Sequence, residues 1–228
     1  MAEGMSRTPM PPARDVARVT TRLVLLGLVL LSAYYLYRAV HYRFVIPNRL
    51  GPSLFDKQLW YVTHVVAALP VLIGAPLQFL PSLRRARPAL HRWIGRVYVI
   101  GAAIAALTAI YLGAIVGEYE GSRLPLALLG SVWLFFTLAA WRSAVHGRFR
   151  AHQLFMIRSY GLALVLVWLR LMYDGQEWLF FYVTNPELRD TTREWASWIV
   201  PLLVMELWLS WWPLLRSTTA QRAPRAAV

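Results

Sequence analysis

The chain has 228 residues, of which 58% are hydrophobic and 15% charged, and its formal net charge is +13. A chain this apolar is not an ordinary soluble domain. The sequence contains no cysteine, which excludes disulfides, thiolate-bound metals, iron–sulfur clusters and covalently attached c-type haem.

Six apolar segments follow one another along the chain, and a membrane-spanning helix needs about 20 mostly apolar residues. The first segment has no small-residue cleavage motif, so we interpret it as a retained helix or signal-anchor. The sequence therefore predicts an all-α fold, a polytopic membrane helical bundle of about six transmembrane helices. The predicted spans are residues 23–41, 59–80, 93–116, 124–141, 154–173 and 195–215.

The chain is predicted to form one membrane domain with two polar tails. Residues 1–20 and 217–228 are rich in Pro, Ala, Arg and Thr, and they are predicted to be disordered cytoplasmic tails. Residues 21–216 then form the six-helix membrane domain. The longest connection, residues 174–194, contains Asn185-Pro186 and mixed charge, which favours a short interfacial helix or a lid.

The distribution of arginine predicts the orientation of the bundle. Four segments, residues 1–22, 81–96, 142–158 and 216–228, hold sixteen arginines and only two acidic residues, whereas the other connections are neutral. Because Lys and Arg are retained on the cytoplasmic side, both termini are predicted to lie inside, in a bacterial cytoplasmic (inner) membrane. Topology and anionic lipid headgroups then explain the excess charge, and no nucleic-acid partner is needed.

Tryptophan and tyrosine residues fall mostly near the predicted helix ends. Amphipathic rings prefer the headgroup zone of a bilayer. We therefore interpret residues such as Tyr98, Trp141, Trp195 and Trp198 as interface anchors, before any role in stacking on a ligand.

Two charged residues lie deep inside predicted spans, where charges are costly and suggest function. At about 1.5 Å per helical residue, Arg158 and Glu206 lie roughly 12 and 13 Å below the inner surface. We predict a buried ion pair between them. The alternative is that Arg158 snorkels to the surface and Glu206 is protonated. Near the outer side, Arg170 and Asp174 are four residues apart and are predicted to pair locally.

The histidines are the candidate ligands for a cofactor. His91 and His152 begin the third and fifth spans, so both are predicted to lie at one depth and to flank a single haem iron. His64 lies about two turns into the second span, and its best outer partner, His41, is nearer the surface. The cofactor-binding candidates are His91, His152 and His64, for b-type haem and no other metal. For each histidine, a hydrogen bond in a helix contact or at the interface is the alternative.

Signatures of common enzyme classes are missing from the sequence. There is no Gly-rich phosphate loop, no nucleophile elbow and no His-Glu-x-x-His zinc helix. The densest basic cluster, residues 84–92, is interpreted as a topology determinant, with lipid phosphate binding as the alternative. The sequence does not decide whether the chain is an enzyme.

Two stretches resemble signatures of a bacterial family of multi-pass membrane proteins, domain of unknown function 2306. They are GAPLQFLPSLRRARPALHRWIGRVYV at residues 74–99 and GRFRAHQLFMIRSY at residues 147–160. The resemblance covers about residues 60–172, and Gln153 departs from it because a basic residue is expected there. That family has no assigned reaction, and the resemblance implies only which positions to test first. They are His64, His91, His152, Arg158 and Arg170, with Arg92, Gly95 and Arg96 as further signature positions.

Three classes of function remain. The layout is similar to cytochrome b561-like bundles, which favours a b-type haem protein that passes electrons at the membrane. The first alternative is a small proton-coupled transporter, based on Arg158, Glu206 and the proline-interrupted helices. The second is a non-catalytic membrane assembly factor with an unknown protein partner.

Overall fold

The computed structural model of the protein describes residues 13–41, 54–116 and 120–221, with side chains at 19–41, 58–116 and 120–216. Within these ranges the chain is helical and has no strand. A π-helical turn, Leu207–Trp211, connects the last two helices. The helices are α1 (Ala13–Val40), α2 (Leu54–Gln78), α3 (Pro81–Ala86), α4 (Pro88–Ala114), α5 (Glu120–Val145), α6 (Phe149–Ala163), α7 (Val165–Asp174), α8 (Gln176–Leu179), α9 (Pro186–Glu206) and α10 (Trp212–Gln221).

Six helical stretches in the described part are long and apolar enough to cross a membrane, which confirms the predicted bundle and its helix count. Of the tails predicted to be disordered, residues 13–20 and 217–221 are helical, because they continue α1 and α10, and residues 1–12 and 222–228 lie outside the described residues. The spans are Val19–Val40, Gln58–Gln78, Pro88–Ala114, Glu120–Val145, Phe149–Asp174 and Pro186–Arg216.

The last span begins earlier than predicted. The Asn185 side chain accepts a hydrogen bond from the Leu188 amide at 3.0 Å, and Pro186 occupies the first helical turn. An Asn cap followed by proline is a strong start signal for a helix. Residues 186–194 are therefore helix and not connection, and the connection shrinks to residues 175–185, which contain the four-residue helix α8.

The fifth span is interrupted at Leu164. Its backbone has φ −76° and ψ 5°, so α6 ends at Ala163 and α7 starts at Val165. The Leu164 amide still bonds to the Tyr160 carbonyl at 3.1 Å. The predicted single helix is therefore two consecutive helices, and this hydrogen bond keeps them joined as one membrane span.

Helix α4 packs between α2 and α5. Tyr98, Ala102, Ala105 and Ala106 on α4 are fully buried. At Gly101 a Cβ atom would lie only 2.7 Å from the Ala67 carbonyl of α2, so the two backbones approach closely where small residues allow it. Helix α6 packs on α5, and α9 packs on α5, α6 and α7, while α1 contacts α2 and α7.

Two aromatic residues predicted as interface anchors lie in the core instead. Tyr98 is fully buried, and Trp198 on α9 is buried and stacked near Trp195, with ring centroids 5.8 Å apart. In contrast, Trp141 is substantially exposed. The position of a ring along its helix does not separate buried rings from exposed ones, because a ring near a predicted helix end can face either neighbouring helices or lipid.

A buried chain of hydroxyl groups joins α4, α5 and α6. Tyr98 Oη lies 2.8 Å from Ser159 Oγ, Ser159 Oγ lies 2.8 Å from Thr137 Oγ1, and Thr137 donates to the Trp133 carbonyl at 2.8 Å. Since a carbonyl only accepts and each hydroxyl has one proton, Ser159 donates to Thr137 and Tyr98 donates to Ser159. This series of hydrogen bonds ends at the Trp133 carbonyl, which cannot pass a proton on. It therefore holds three helices together and does not conduct protons.

This donor order predicts unequal effects of two substitutions. Ser159→Ala leaves the buried Tyr98 hydroxyl without an acceptor and is expected to lower the free energy of unfolding by about 1–3 kcal/mol. Tyr98→Phe removes a donor but leaves the bond from Ser159 to Thr137 intact, so its loss of hydrogen-bonding energy is expected to be smaller. Thermal unfolding in detergent measures both. A larger loss for Tyr98→Phe would contradict the donor order.

The two ends of the bundle differ in charge. One end, which we call the arginine-rich end, holds α3, the first turn of α4 and the turn from α5 to α6, with Arg84, Arg85, Arg87, Arg92 and Arg148. At the opposite end Asp174 accepts hydrogen bonds from Arg38 at 2.6 Å and from Tyr35 at 3.1 Å. The predicted local pair of Arg170 with Asp174 is therefore wrong, because α1 packs against α7 and supplies the partners.

Candidate functional site

A cavity of about 870 Å³ opens at the arginine-rich end of the bundle. Its walls come from the end of α2, from α3, from the first turns of α4 and α6, and from the end of α5. Most of the walls are apolar. The lining residues are Gln78, Phe79, Arg84, Pro88, His91, Arg92, Ala144, Phe149, His152, Gln153, Met156 and Ile157.

Local turn chemistry brings these segments together. Pro81 and Pro88 occupy the first turns of α3 and α4, where the missing amide proton costs nothing. Gly147 has φ 70°, a left-handed conformation that glycine adopts at no steric cost, and it reverses the chain between α5 and α6. The two turns place the starts of α4 and α6 at the same end, which puts His91 and His152 in one cavity.

His152 is held in one tautomer. Its Nδ1 atom lies 3.0 Å from the Ala140 carbonyl of α5, and because a carbonyl only accepts, Nδ1 carries the proton. In the neutral ring, Nε2 therefore has a free lone pair. Metal-bound histidines commonly fix their second nitrogen on a backbone carbonyl in this way.

His91 lies across the cavity on α4. Its Nδ1 atom is buried and has no hydrogen-bond partner. The Gln78 side chain donates to the His91 backbone carbonyl at 2.9 Å, which ties the end of α2 to the start of α4. The imidazoles of His91 and His152 are close enough to interact electrostatically. The cavity is therefore lined by two imidazoles, those of His91 and His152.

The structure does not bring His64 to this cavity. His64 lies on α2, and its Nδ1 donates to the Ala105 carbonyl of α4 at 2.9 Å, with Thr108 Oγ1 at 3.2 Å. His41 is exposed and its ring stacks on Tyr37 at 5.5 Å. The two outer histidines thus have separate surroundings, and His64 resembles His152 only in how its Nδ1 is bound.

Arg158 and Glu206 lie together between α6 and α9. Arg158 Nε donates to Glu206 Oε1, and Nη2 donates to Glu206 Oε2 and to Ser210 Oγ, both at 2.9 Å. Ser210 in turn donates to Glu206 Oε2 at 2.8 Å. The side chains are only 11% and 24% exposed, so both charges are largely enclosed by protein. The π-helical turn begins directly after Glu206 and contains Ser210.

The remaining signature positions divide between the cavity and its surroundings. Arg92 lines the cavity, and a Cβ atom at Gly95 would lie 3.7 Å from the Gln78 amide oxygen. Arg96 is exposed one turn further along α4 and does not line the cavity. Arg170 lies in the opposite half of the bundle, where its Nε atom is buried without a hydrogen-bond partner.

Sequence reasoning missed two groups of site residues. Gln78 and Arg84 line the cavity; the sequence signal for Gln78 is its place in the His91 signature, and Arg84 belongs to the basic cluster that we interpret as a topology determinant. Ser210 completes the Arg158–Glu206 cluster, and the signal was its position four residues after Glu206, which puts both on one helix face. The π-helical turn had no sequence signal that we recognise.

The family described as "Predicted membrane protein (DUF2306)" matches residues 61–209. The match covers more than half of the chain, so the chain belongs to this family, and the predicted resemblance is confirmed. It extends beyond the predicted residue 172 and includes Glu206. No curated protein and no solved structure matches the chain.

Proposed function

We propose that this family member is a b-type haem protein that transfers electrons at the membrane, in which His91 and His152 would hold the haem iron. One observation carries the proposal. Two histidines from two different helices line a single, mostly apolar cavity of about 870 Å³. Ligand sites are concave and apolar with a few convergent polar groups, and sites between the helices of a bundle are common.

The donor set fits a haem iron. His152 presents a free Nε2 lone pair because Nδ1 is occupied by the Ala140 carbonyl, and His91 lines the same cavity. Within the described residues, no group of three or more His, Asp or Glu side chains is arranged to hold a bare metal ion. A porphyrin supplies four nitrogen ligands of its own, so two histidines suffice.

The protein would position the haem and surround it with apolar side chains. A bound haem supplies one-electron chemistry. Phe79, Phe149 and Met156 contribute apolar walls, and Gln78 fixes the start of α4, which carries His91. The arginine-rich end is proposed to face the cytoplasm of a bacterial inner membrane, so electrons would enter or leave on that side.

The geometry gives less support to the two alternatives. A proton-coupled transporter needs a titratable group that can change partners, but Glu206 is bound by both Arg158 and Ser210. A membrane assembly factor needs no cavity, and its histidines would be dispensable. Neither alternative explains why His91 and His152 share one apolar cavity.

A visible spectrum of the purified protein tests the proposal. After expression with ample haem, the expected result is a Soret band, together with the sharpened bands of a six-coordinate haem on reduction. Circular dichroism on the same sample verifies that the helices are folded. Folded protein without a Soret band, which also fails to take up added haemin, would remove the proposal.

A further inference from the structure

We propose that Arg84 and Arg92 bind the two carboxylates of the haem, and so fix its orientation with the carboxylate edge at the arginine-rich end. This inference rests on the proposed haem site and deepens it. Haem b is an apolar disc with two carboxylates on one edge. A site for it needs apolar walls, iron ligands and cationic groups at one side, and the cavity has all three.

The two arginines differ from their neighbours in where they lie. The arginine-rich end has many exposed arginines that positive-inside topology alone explains. Of those in residues 81–96 and 142–158, Arg84 and Arg92 line the cavity, whereas Arg85 and Arg96 do not. Arg84 belongs to the last turn of α3 and Arg92 to the first turns of α4, so they approach the cavity from two elements.

Both guanidinium groups are free to bind an anion. Within the described residues, neither Arg84 nor Arg92 makes a side-chain hydrogen bond or an ion pair. Both are close enough to His91 to interact with it electrostatically. Arginine binds carboxylates through two parallel N–H donors, which gives both affinity and geometry.

The helix ends add to the positive potential. The cavity is lined by the first turns of α4, at Pro88 and His91, and of α6, at Phe149 and His152. Each helix N-terminus carries a partial positive charge, so two of them favour an anionic group in the space between. Among the residues that the structure describes, no acidic side chain lines the cavity.

The charges of haem also favour two arginines in the cavity. A ferric haem with two histidine ligands carries one positive charge at its centre and two negative charges at its carboxylates, and reduction removes the central charge. Burial of unpaired carboxylates is costly. Two arginines neutralise the two carboxylates, and they stabilise the reduced form more than the oxidised form.

The test compares haemin b with its dimethyl ester, which has no charged carboxylate, by spectrophotometric titration of the purified full-length protein in detergent. Arg84→Gln and Arg92→Gln are each expected to weaken haemin b binding about tenfold or more, since a hydrogen bond to a charged group is lost. Binding of the ester is expected to stay within about twofold of wild type. Each affinity is expressed relative to wild type for the same porphyrin, so the different partition of the two porphyrins into detergent does not affect the comparison.

Arg85→Gln and Arg96→Gln are the matched controls, because each removes one arginine from the same helix without touching the cavity. They are expected to leave both affinities nearly unchanged. If all four variants weaken haemin b equally, or if the ester is weakened as much as haemin b, the inference is overturned although the haem site stands. If wild type binds neither porphyrin, the proposed function itself has failed.

A second measurement does not depend on affinity. Potentiometric titration of the haem-loaded protein is expected to show a lower midpoint potential in Arg92→Gln than in Arg96→Gln, because loss of a nearby cation favours the oxidised form. An unchanged potential in Arg92→Gln would also overturn the inference.

Discussion

His152→Ala is expected to abolish stable haem binding, with an affinity loss of more than about 100-fold. Loss of a group that merely supports a metal ligand typically costs 10–100-fold in affinity, and the loss of the ligand itself costs more. The same result is expected for His91→Ala. The measurement is titration of the apoprotein with haemin, followed at the Soret band, and the helix content is verified by circular dichroism.

His64→Ala is the matched control for this experiment. His64 also binds a helix carbonyl through Nδ1, at 2.9 Å, but it does not line the cavity. Its replacement is expected to leave the Soret band unchanged. Added imidazole is expected to restore part of the haem binding in His152→Ala, because the cavity walls remain. A Soret band that persists in His152→Ala and disappears in His64→Ala would contradict the assignment.

Glu206→Gln is expected to destabilise the protein by about 3–5 kcal/mol, because it leaves the enclosed Arg158 guanidinium without its carboxylate partner. The double variant Arg158→Gln with Glu206→Gln is expected to be more stable than Glu206→Gln alone, since no unpaired charge remains. Thermal unfolding of wild type, both single variants and the double variant in one detergent gives the coupling energy between the two side chains.

The outcome also separates a structural pair from a transport site. A transporter that uses Glu206 would keep its fold in Glu206→Gln and would lose flux. The contacts of Glu206 with Arg158 and Ser210 instead predict a loss of stability. Additive losses in the cycle would show that the two side chains do not depend on each other, and the pair would then have no role in holding α6 to α9.

Hydropathy was sufficient to predict the six spans, because an apolar run of about 20 residues has few alternatives to a membrane helix. Helix starts were less predictable. The nine residues before the predicted last span are mostly polar, which predicts a connection, but the Asn185 cap and Pro186 begin α9 there. Hydropathy measures the apolar part of a helix and does not detect a polar extension beyond it.

The depth of a residue along its membrane span was predictable from the sequence, whereas the neighbouring helix that its side chain faces was not. Counting residues placed His91 level with His152, and the structure puts both in one cavity. The same reasoning paired Arg170 with Asp174 on one helix, but the position of α1 decides that Asp174 binds Arg38 and Tyr35. Pairing between distant segments depends on which helices are neighbours, and one sequence carries little information on that.

The cavity is built from a contiguous part of the chain. Its lining residues lie between Gln78 and Ile157, and neither α1 nor the last span contributes one. During synthesis all of its walls are therefore present once the first part of the fifth span has been inserted into the membrane. The Arg158–Glu206 contact forms later, when the last span arrives and joins α6. The order of translation thus allows the cavity to receive the proposed haem before the contact between α6 and the last span forms.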